Sequence, residues 1–466
     1  MRAKLTVAAI LAAVAIPVVA QPAENGRAAF RAIYEEMVEI DSSPTTGSCT
    51  KVVRAAEVRL KAAGFTAADY QVIIPPDRPD DGNIVAKIKA ANPTKKGVLL
   101  MGHIDVVDAR REDWERDPFT LFEENGYFYG RGTADMKGQA AVWLDLMLRL
   151  KQEAGFKPSR DVVLALTCGE ETSNRINGID YILKNHKQWF DVAFALNEGA
   201  GGLLSDDGKA LVLQIQAGEK IHQVYELEVT NPGGHSSRPT PDNAIYQLMA
   251  ATKKVEAVSF PVQVTPVNRE YFRITGPILG GEIGKAMAAV AKNPDDQAAL
   301  AVLLADPTYN ASLHTTCVAT QLDAGHAPNA LPQRAKTTLS CRVMQGTTPE
   351  QVKETLDKAI GDANVKVSIV RRREGSTAPP LTDEIMGPVK AQAAKMWPGV
   401  PVAPIMIAGA TDGRFLMNAG IPTYGLSGMF SKSGETNAHG LNEKLRVQSL
   451  YEGRDFLEAV VRAYVK

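Results

Sequence analysis

Strand-like and helix-like segments alternate at both ends of this 466-residue chain, and the alternation restricts the fold more than any other feature. Apolar runs at residues 98–101, 162–167 and 192–196 have the length and composition of buried strands. Helical spacing of apolar residues separates them at 140–150 and 179–185. This order is typical of α/β proteins. We therefore predict an α/β fold with a mostly parallel-core sheet and helices on both faces.

The pattern changes after Gln216, where alternating apolar and polar residues at 221–230 indicate a half-buried strand. A helix, two strands, a helix and a strand are then predicted at 242–254, 317–322, 337–343, 349–360 and 365–370. This is the split βαβ order of a ferredoxin-like layer. We predict an inserted α+β lid and dimerisation domain at 217–375, between two parts of a catalytic domain at 21–216 and 376–466. Residues 259–316 exceed this pattern. We predict two helices there, near 283–291 and 297–304, and no function for the segment.

The first 20 residues have the pattern of a secretory signal peptide. Arg2 and Lys4 precede an apolar run at residues 5–19, and small residues at 18–20 fit a cleavage site. An N-terminal membrane anchor is the alternative, but the run is short for a span and polar residues follow it. We expect an exported protein, periplasmic or secreted, without a stable membrane anchor after cleavage.

Composition excludes several classes of protein. The chain is 45% hydrophobic and 23% charged, which is ordinary for a globular protein and argues against disorder. Its formal net charge is −1, and we see no long basic run, so we expect no nucleic-acid partner. The four cysteines lie far apart at positions 49, 168, 317 and 341, and we predict that they are buried free thiols.

Acidic and imidazole side chains follow the predicted strands. His103 and Asp105 come after the first apolar run, Glu170 and Glu171 after the second, and Glu198 after the third. In addition, Asp135 precedes a predicted helix and His439 lies in a glycine-flanked loop. Each signal alone also fits a hydrogen-bonded or solvated loop. Together they indicate a metal site at the ends of the strands.

These motifs, in this order, resemble the M20 family of zinc-dependent peptidases and amidohydrolases, and the resemblance spans essentially the whole mature chain. It implies a zinc-peptidase-like catalytic domain with two zinc ions per subunit, bound by His103, Asp135, Glu171, Glu198 and His439. Asp135 would bridge the ions, with His103 and Glu198 completing one site. Asp105 would hold the His103 ring, and Glu170 would be the general base.

The resemblance also assigns residues in the predicted lid. His235 would stabilise the developing oxyanion, often from a dimer partner, although it could simply cap a turn. Asn329 and Arg342 match substrate-binding positions, although Arg342 could be a solvated face residue. The sequence departs from the family pattern at Asp108, where proline is common, and at Cys168-Gly169, where an acidic residue is frequent. The histidines His186, His222, His314 and His326 match no motif, and we expect structural or surface roles for them.

The expected activity is hydrolysis of an amide bond in a peptide, at its C-terminal residue, or in an N-acyl amino acid. The attacking water would be activated by the metals, and a homodimer would form through the lid. Two alternatives remain open. The chain could be a non-catalytic binding or dimerisation module with the same fold. It could also be a cocatalytic zinc aminopeptidase, which would not need the inserted lid or Arg342.

Overall fold

The structure is a computed structural model that describes residues 26–172, 174–373 and 375–466. The predicted signal peptide lies outside the described residues. Within the described part of the chain, no helix is long and apolar enough to cross a membrane.

The described residues up to Glu219 form four α-helices and nine strands. The helices are α1 Arg27–Glu39, α2 Cys49–Ala62, α3 Lys137–Gln152 and α4 Gly178–Asn185. The strands are β1 Tyr70–Ile73, β2 Asn83–Ile88, β3 Gly97–His103, β4 Phe122–Glu124, β5 Tyr127–Tyr129, β6 Val162–Thr167, β7 Val192–Asn197, β8 Gly202–Leu204 and β9 Ala210–Glu219.

The middle part forms a second sheet of four strands, a separate pair of short strands, β11 with β13, and six helices. Its strands are β10 Ile221–Thr230, β11 Gly234–His235, β12 Thr316–Ala324, β13 Ala330–Leu331, β14 Arg334–Val343 and β15 Val365–Arg371. Its helices are α5 Ala244–Glu256, α6 Pro266–Leu279, α7 Gly281–Lys292, α8 Gln297–Ala305, α9 Pro307–Leu313 and α10 Pro349–Ile360.

The last part returns to the first sheet. Its elements are α11 Asp383–Met396, β16 Val402–Ile407, α12 Gly413–Asn418, β17 Thr423–Gly425, β18 Phe430–Ser431, β19 Lys444–Arg446 and α13 Val447–Tyr464.

The large sheet has ten strands in the order β1-β2-β6-β3-β7-β17-β9-β8-β18, with β16 paired to β9. Its centre, β6-β3-β7-β17, is parallel throughout. Successive side chains of β3 point to opposite faces of the sheet. Val98 and Leu100 belong to the core on the face covered by α1, α2, α3 and α13. Leu99 and Met101 belong to the core on the other face, which α4 covers. The predicted α/β fold, with helices on both faces of a mostly parallel core, is confirmed.

The smaller sheet is antiparallel, with strand order β12-β14-β10-β15. This is the order that a split βαβ unit produces. Burial alternates strictly along β10, because one face packs against α5 and α10 while most side chains of the other face are half-buried. The ferredoxin-like layer is therefore present as predicted.

The additional residues fold into four helices with a core of their own, built around Phe272, Met287 and Leu303. Helix α6 also reaches the large sheet, where Val267 packs against Ala217 and Met406. Sequence periodicity indicated α7 and α8 but missed α6 and α9. Both missed helices begin with proline after a capping Thr or Asp, a signal that the periodicity argument did not use.

The prediction of free thiols is wrong. Cys49 is bonded to Cys168, 119 residues away, and Cys317 is bonded to Cys341 on the neighbouring strand. We predicted free thiols because the cysteines are widely spaced in the sequence. The fold nevertheless brings Cys49 and Cys168 together, because α2 and the segment after β6 pack in the same core. The first disulfide ties the segment leading into Glu170 and Glu171 to α2.

Candidate metal centre

The ends of three parallel strands bring the predicted donors to one edge of the large sheet. His103 is the last residue of β3, Glu170 and Glu171 follow β6, and Glu198 follows β7. Residue 425, on the adjacent β17, must be glycine, because a Cβ atom there would lie 2.1 Å from the carbonyl oxygen of Glu198. The close approach of these strand ends places the side chains within reach of one another.

One group of donors joins His103, Asp135 and Glu198, whose ligand atoms all lie within 4.8 Å of one another. His103 Nε2 lies 3.2 Å from Asp135 Oδ1 and 3.6 Å from Glu198 Oε2. The His103 side chain is only 2% exposed, so its ring is fixed by the surrounding core.

The second group joins Asp135, Glu171 and His439 within the same 4.8 Å limit. His439 Nε2 lies 3.1 Å from Asp135 Oδ2 and 2.9 Å from Glu171 Oε2. His439 has the left-handed backbone conformation, with φ 61°, which is uncommon for a residue with a side chain and frequent at functional sites. The two groups therefore share Asp135, and each uses a different oxygen of its carboxylate.

Asp105 orients the His103 ring through its main chain. His103 Nδ1 lies 3.0 Å from the Asp105 carbonyl oxygen but 3.8 Å from the nearest carboxylate oxygen. The carboxylate instead accepts the backbone N–H groups of Glu170, at 3.3 Å, and Glu171, at 3.0 Å. Asp105 thus contacts the His103 ring with its carbonyl oxygen and links β3 to the loop that carries the paired glutamates.

Glu443 supports the site and was missed in the sequence. It is completely buried, and its carboxylate accepts the backbone N–H groups of Gly132, Ala134 and Asp135 at 2.9, 2.8 and 3.0 Å. Arg131 also donates to it, at 2.8 Å. These bonds fix the loop that presents Asp135. The only available signal was an acidic residue near His439, which is too common to be informative.

The electrostatics of the site call for a cation. Burial and then the charge of Glu198 raise the pKa of the Glu170 carboxyl well above its ordinary value, and burial also raises the pKa of Glu171. Hydrogen bonds to Asp135 and Glu171 raise the pKa of His439 to about 10. Such a concentration of negative charge is stabilised by a proton on each ring or by bound metal.

The donor set fits zinc. Each group combines one imidazole nitrogen with two carboxylates, ligands that Zn²⁺ accepts. A third group, Cys49, Asp105 and Cys168, does not fit a metal, because its two sulfurs are joined in a disulfide and provide no thiolate.

The donors contact two cavities. One, of about 770 Å³, is lined by Glu170, Glu171 and His439 and also by Arg342 from the smaller sheet. The other, of about 380 Å³, is lined by Asp135 and Glu198. Glu170 therefore lies in the wall of the larger cavity, together with Glu171 and His439 of the second group of donors.

Two predicted residues are not brought to this site. His235 and Asn329 are exposed, and neither lines either cavity. They lie next to each other instead, because β11 pairs with β13 and the Ser236 N–H donates to the Asn329 carbonyl oxygen at 3.1 Å. The His235 ring accepts a hydrogen bond from the Ser237 N–H at 3.2 Å.

Comparison with known proteins identifies relatives of this chain. The profile of peptidase family M20/M25/M40 matches residues 99–463. The N-fatty-acyl-amino acid synthase/hydrolase of Mus musculus is 28% identical, over 78% of this chain and 73% of that protein. A probable carboxypeptidase S-like protein of Dictyostelium discoideum is also 28% identical, over 82% and 74%. An M20 family metallo-carboxypeptidase from Sulfolobus solfataricus shares the fold, with a TM-score of 0.68, 20% identity and coverage of 93% and 99%.

Proposed function

Because the chain belongs to peptidase family M20/M25/M40 and is a metallopeptidase or amidohydrolase of that family, we propose that it is an exported two-zinc hydrolase. Its substrate is an N-acyl amino acid or a peptide, cleaved at its C-terminal residue. The names of the relatives, one an N-fatty-acyl-amino acid synthase/hydrolase and one a carboxypeptidase-like protein, support both substrate classes. Two disulfides support export, since they persist in oxidising compartments.

One observation carries the two-zinc proposal: the two oxygens of Asp135 face two different histidines, at 3.2 and 3.1 Å. His103 and Glu198 would complete one site, and Glu171 and His439 the other. When bound, two zinc ions would polarise the amide carbonyl and lower the pKa of a water molecule.

Glu170 is the proposed general base. Glu170 lies in the cavity wall because it follows the end of β6, next to Glu171. The raised pKa of its carboxyl group suits a residue that accepts a proton and then donates it. It accepts the proton of the attacking water and transfers it to the departing nitrogen. Arg342, in the same cavity, would bind the α-carboxylate of the amino acid through its planar guanidinium.

We further propose that residues 21–216 and 376–466 form the catalytic domain and that residues 217–375 form the lid. We also propose a homodimer that forms through the lid. Strand β12 is an edge strand with exposed Val318 and Leu322, and α5 exposes Tyr246 and Met249. Exposed edges and apolar side chains of this kind favour pairing with a second copy.

Metal analysis together with a substrate panel tests this function. We expect about two zinc ions per chain and hydrolysis of N-acyl amino acids or of the C-terminal peptide bond of short peptides. Release of N-terminal residues from peptides would instead support the aminopeptidase alternative. Zinc binding without turnover of any substrate would support a non-catalytic module and contradict the proposal.

Replacement of His235 tests the contribution of the lid. We expect His235→Ala to lower kcat by about 10²–10³-fold, the usual cost of losing an oxyanion donor, with zinc content and fold unchanged. Because His235 lies outside the cavity of its own chain, the ring would be supplied by a second subunit or by closure of the lid.

Mixing His235→Ala with Glu170→Ala protein distinguishes these two routes. If a partner subunit donates the ring, subunit exchange creates one site with both residues intact and restores part of the activity. Exchange without recovery would indicate donation within one chain. His186→Ala, which removes a histidine outside the lid, is the control, and a fully active His235→Ala enzyme would contradict a role in turnover.

A further inference from the structure

The larger cavity has a strongly basic wall. Arg342, Arg373 and Arg414 all line it, and His222 lies among them. Arg342 and His222 are directly opposite each other on β14 and β10, so both come from the smaller sheet. Arg414 comes from the large-sheet side, where its guanidinium lies over the Phe415 ring, 4.5 Å from the centroid. The basic groups thus enclose the cavity from both sheets.

Two of the three arginines have no carboxylate within ion-pair distance among the described residues. Within the described part of the chain, no carboxylate lies within 4.0 Å of the guanidinium nitrogens of Arg342 or Arg414. Of the acidic residues that line the cavity, Glu170 and Glu171 belong to the catalytic centre, and Asp180 is ion-paired with Lys184 at 2.6 Å. Burial and the three arginines lower the pKa of His222 to about 4, which reflects the same positive surroundings.

The smaller cavity has a different character. It is lined by Asp135 and Glu198 and, beyond them, by side chains such as Met136, Met429 and Phe430. No lysine, arginine or histidine lines it among the described residues. A neutral acyl group suits this cavity, whereas the basic cavity suits anionic groups.

We propose that this enzyme selects substrates with a second carboxylate, on the side chain of the amino acid, which is therefore aspartate or glutamate carrying a neutral acyl group. The inference rests on the proposed function, in which Arg342 binds the α-carboxylate. One guanidinium is sufficient for one carboxylate, because the two planar groups pair through two parallel hydrogen bonds. Arg373 and Arg414 line the same cavity as Arg342, so they meet the amino-acid part of the substrate rather than its acyl group.

Four substrates test the selection: N-acetyl-L-glutamate, its uncharged isostere N-acetyl-L-glutamine, N-acetyl-L-leucine and N-succinyl-L-leucine. We expect kcat/KM for the glutamate compound to exceed that for the glutamine compound by about 10- to 100-fold, the usual worth of a charge-assisted hydrogen bond. Arg414→Gln and Arg373→Gln should each lower this ratio. Arg54→Gln, which removes an exposed arginine of α2 that pairs with Glu57, should leave the ratio unchanged.

The results separate this inference from the proposed function. Equal or better turnover of the glutamine and leucine compounds would overturn the selection while leaving the amidohydrolase activity in place. Preference for N-succinyl-L-leucine would place the second carboxylate on the acyl group and also overturn the inference. A glutamate preference that survives both arginine substitutions would do the same. A zinc-loaded enzyme that cleaves short peptides at the C-terminal bond but none of the four compounds would overturn the inference alone, and one that cleaves neither kind of substrate would contradict both proposals.

Discussion

Asp135→Ala is expected to reduce the zinc content from two ions per chain to none and to abolish hydrolysis. The reason is geometric: Asp135 belongs to both groups of donors, so its loss leaves only His103 with Glu198 in one group and Glu171 with His439 in the other. Structural and catalytic zinc sites normally use at least three protein ligands. Metal analysis of the purified variant after dialysis, with circular dichroism to establish that it is folded, measures the effect.

Glu198→Ala is the matched control. This carboxylate belongs to one group only, so its removal should cost one zinc ion and leave Asp135, Glu171 and His439 able to hold the other. Retention of two ions by Asp135→Ala would contradict the shared-ligand arrangement. Equal loss in both variants would show that the two sites fill together rather than separately.

The fold was largely predictable because buried parallel strands carry a strong local signal. Strand β6 was predicted with the same bounds as in the structure, since every residue from Val162 to Thr167 is buried and apolar or small. Helix α10 was also predicted with the bounds that the structure has, because Val352, Leu356 and Ile360 recur at helical spacing. The ferredoxin-like layer followed from the order of such elements.

Three of the candidate metal donors, His103, Glu171 and Glu198, were recognisable in the sequence because they lie at or after strand ends, where a parallel sheet gathers side chains from distant segments. The supporting residues were not. Glu443 acts through backbone N–H groups and an arginine side chain more than 300 residues away, and no local pattern marks such contacts. The partner of Cys49 is likewise set by packing rather than by spacing. His222 was expected to be a structural or surface residue, and the fold places it in the wall of the basic cavity.

Glu170→Gln is expected to lower kcat by about 10²–10⁴-fold while both zinc ions remain bound. The amide has the size of the carboxylate but cannot accept the proton of the attacking water, so only the proton-transfer step should suffer. Glu170 belongs to neither group of candidate metal donors, whereas its neighbour Glu171 lies 2.9 Å from His439 Nε2. Single-turnover kinetics and metal analysis of the same preparation measure the two effects separately.

Glu171→Gln is the control that makes this result specific, because the two glutamates are adjacent in sequence and both line the larger cavity. One of two adjacent glutamates can bind metal while the other acts as a base only if their side chains point in different directions. Here the Asp105 carboxylate accepts the backbone N–H groups of both glutamates and so fixes the backbone that orients their side chains. Glu171→Gln should therefore lose zinc, and Glu170→Gln should not. Zinc loss on replacing Glu170 would make it a ligand and leave the proton transfer to another group in the cavity.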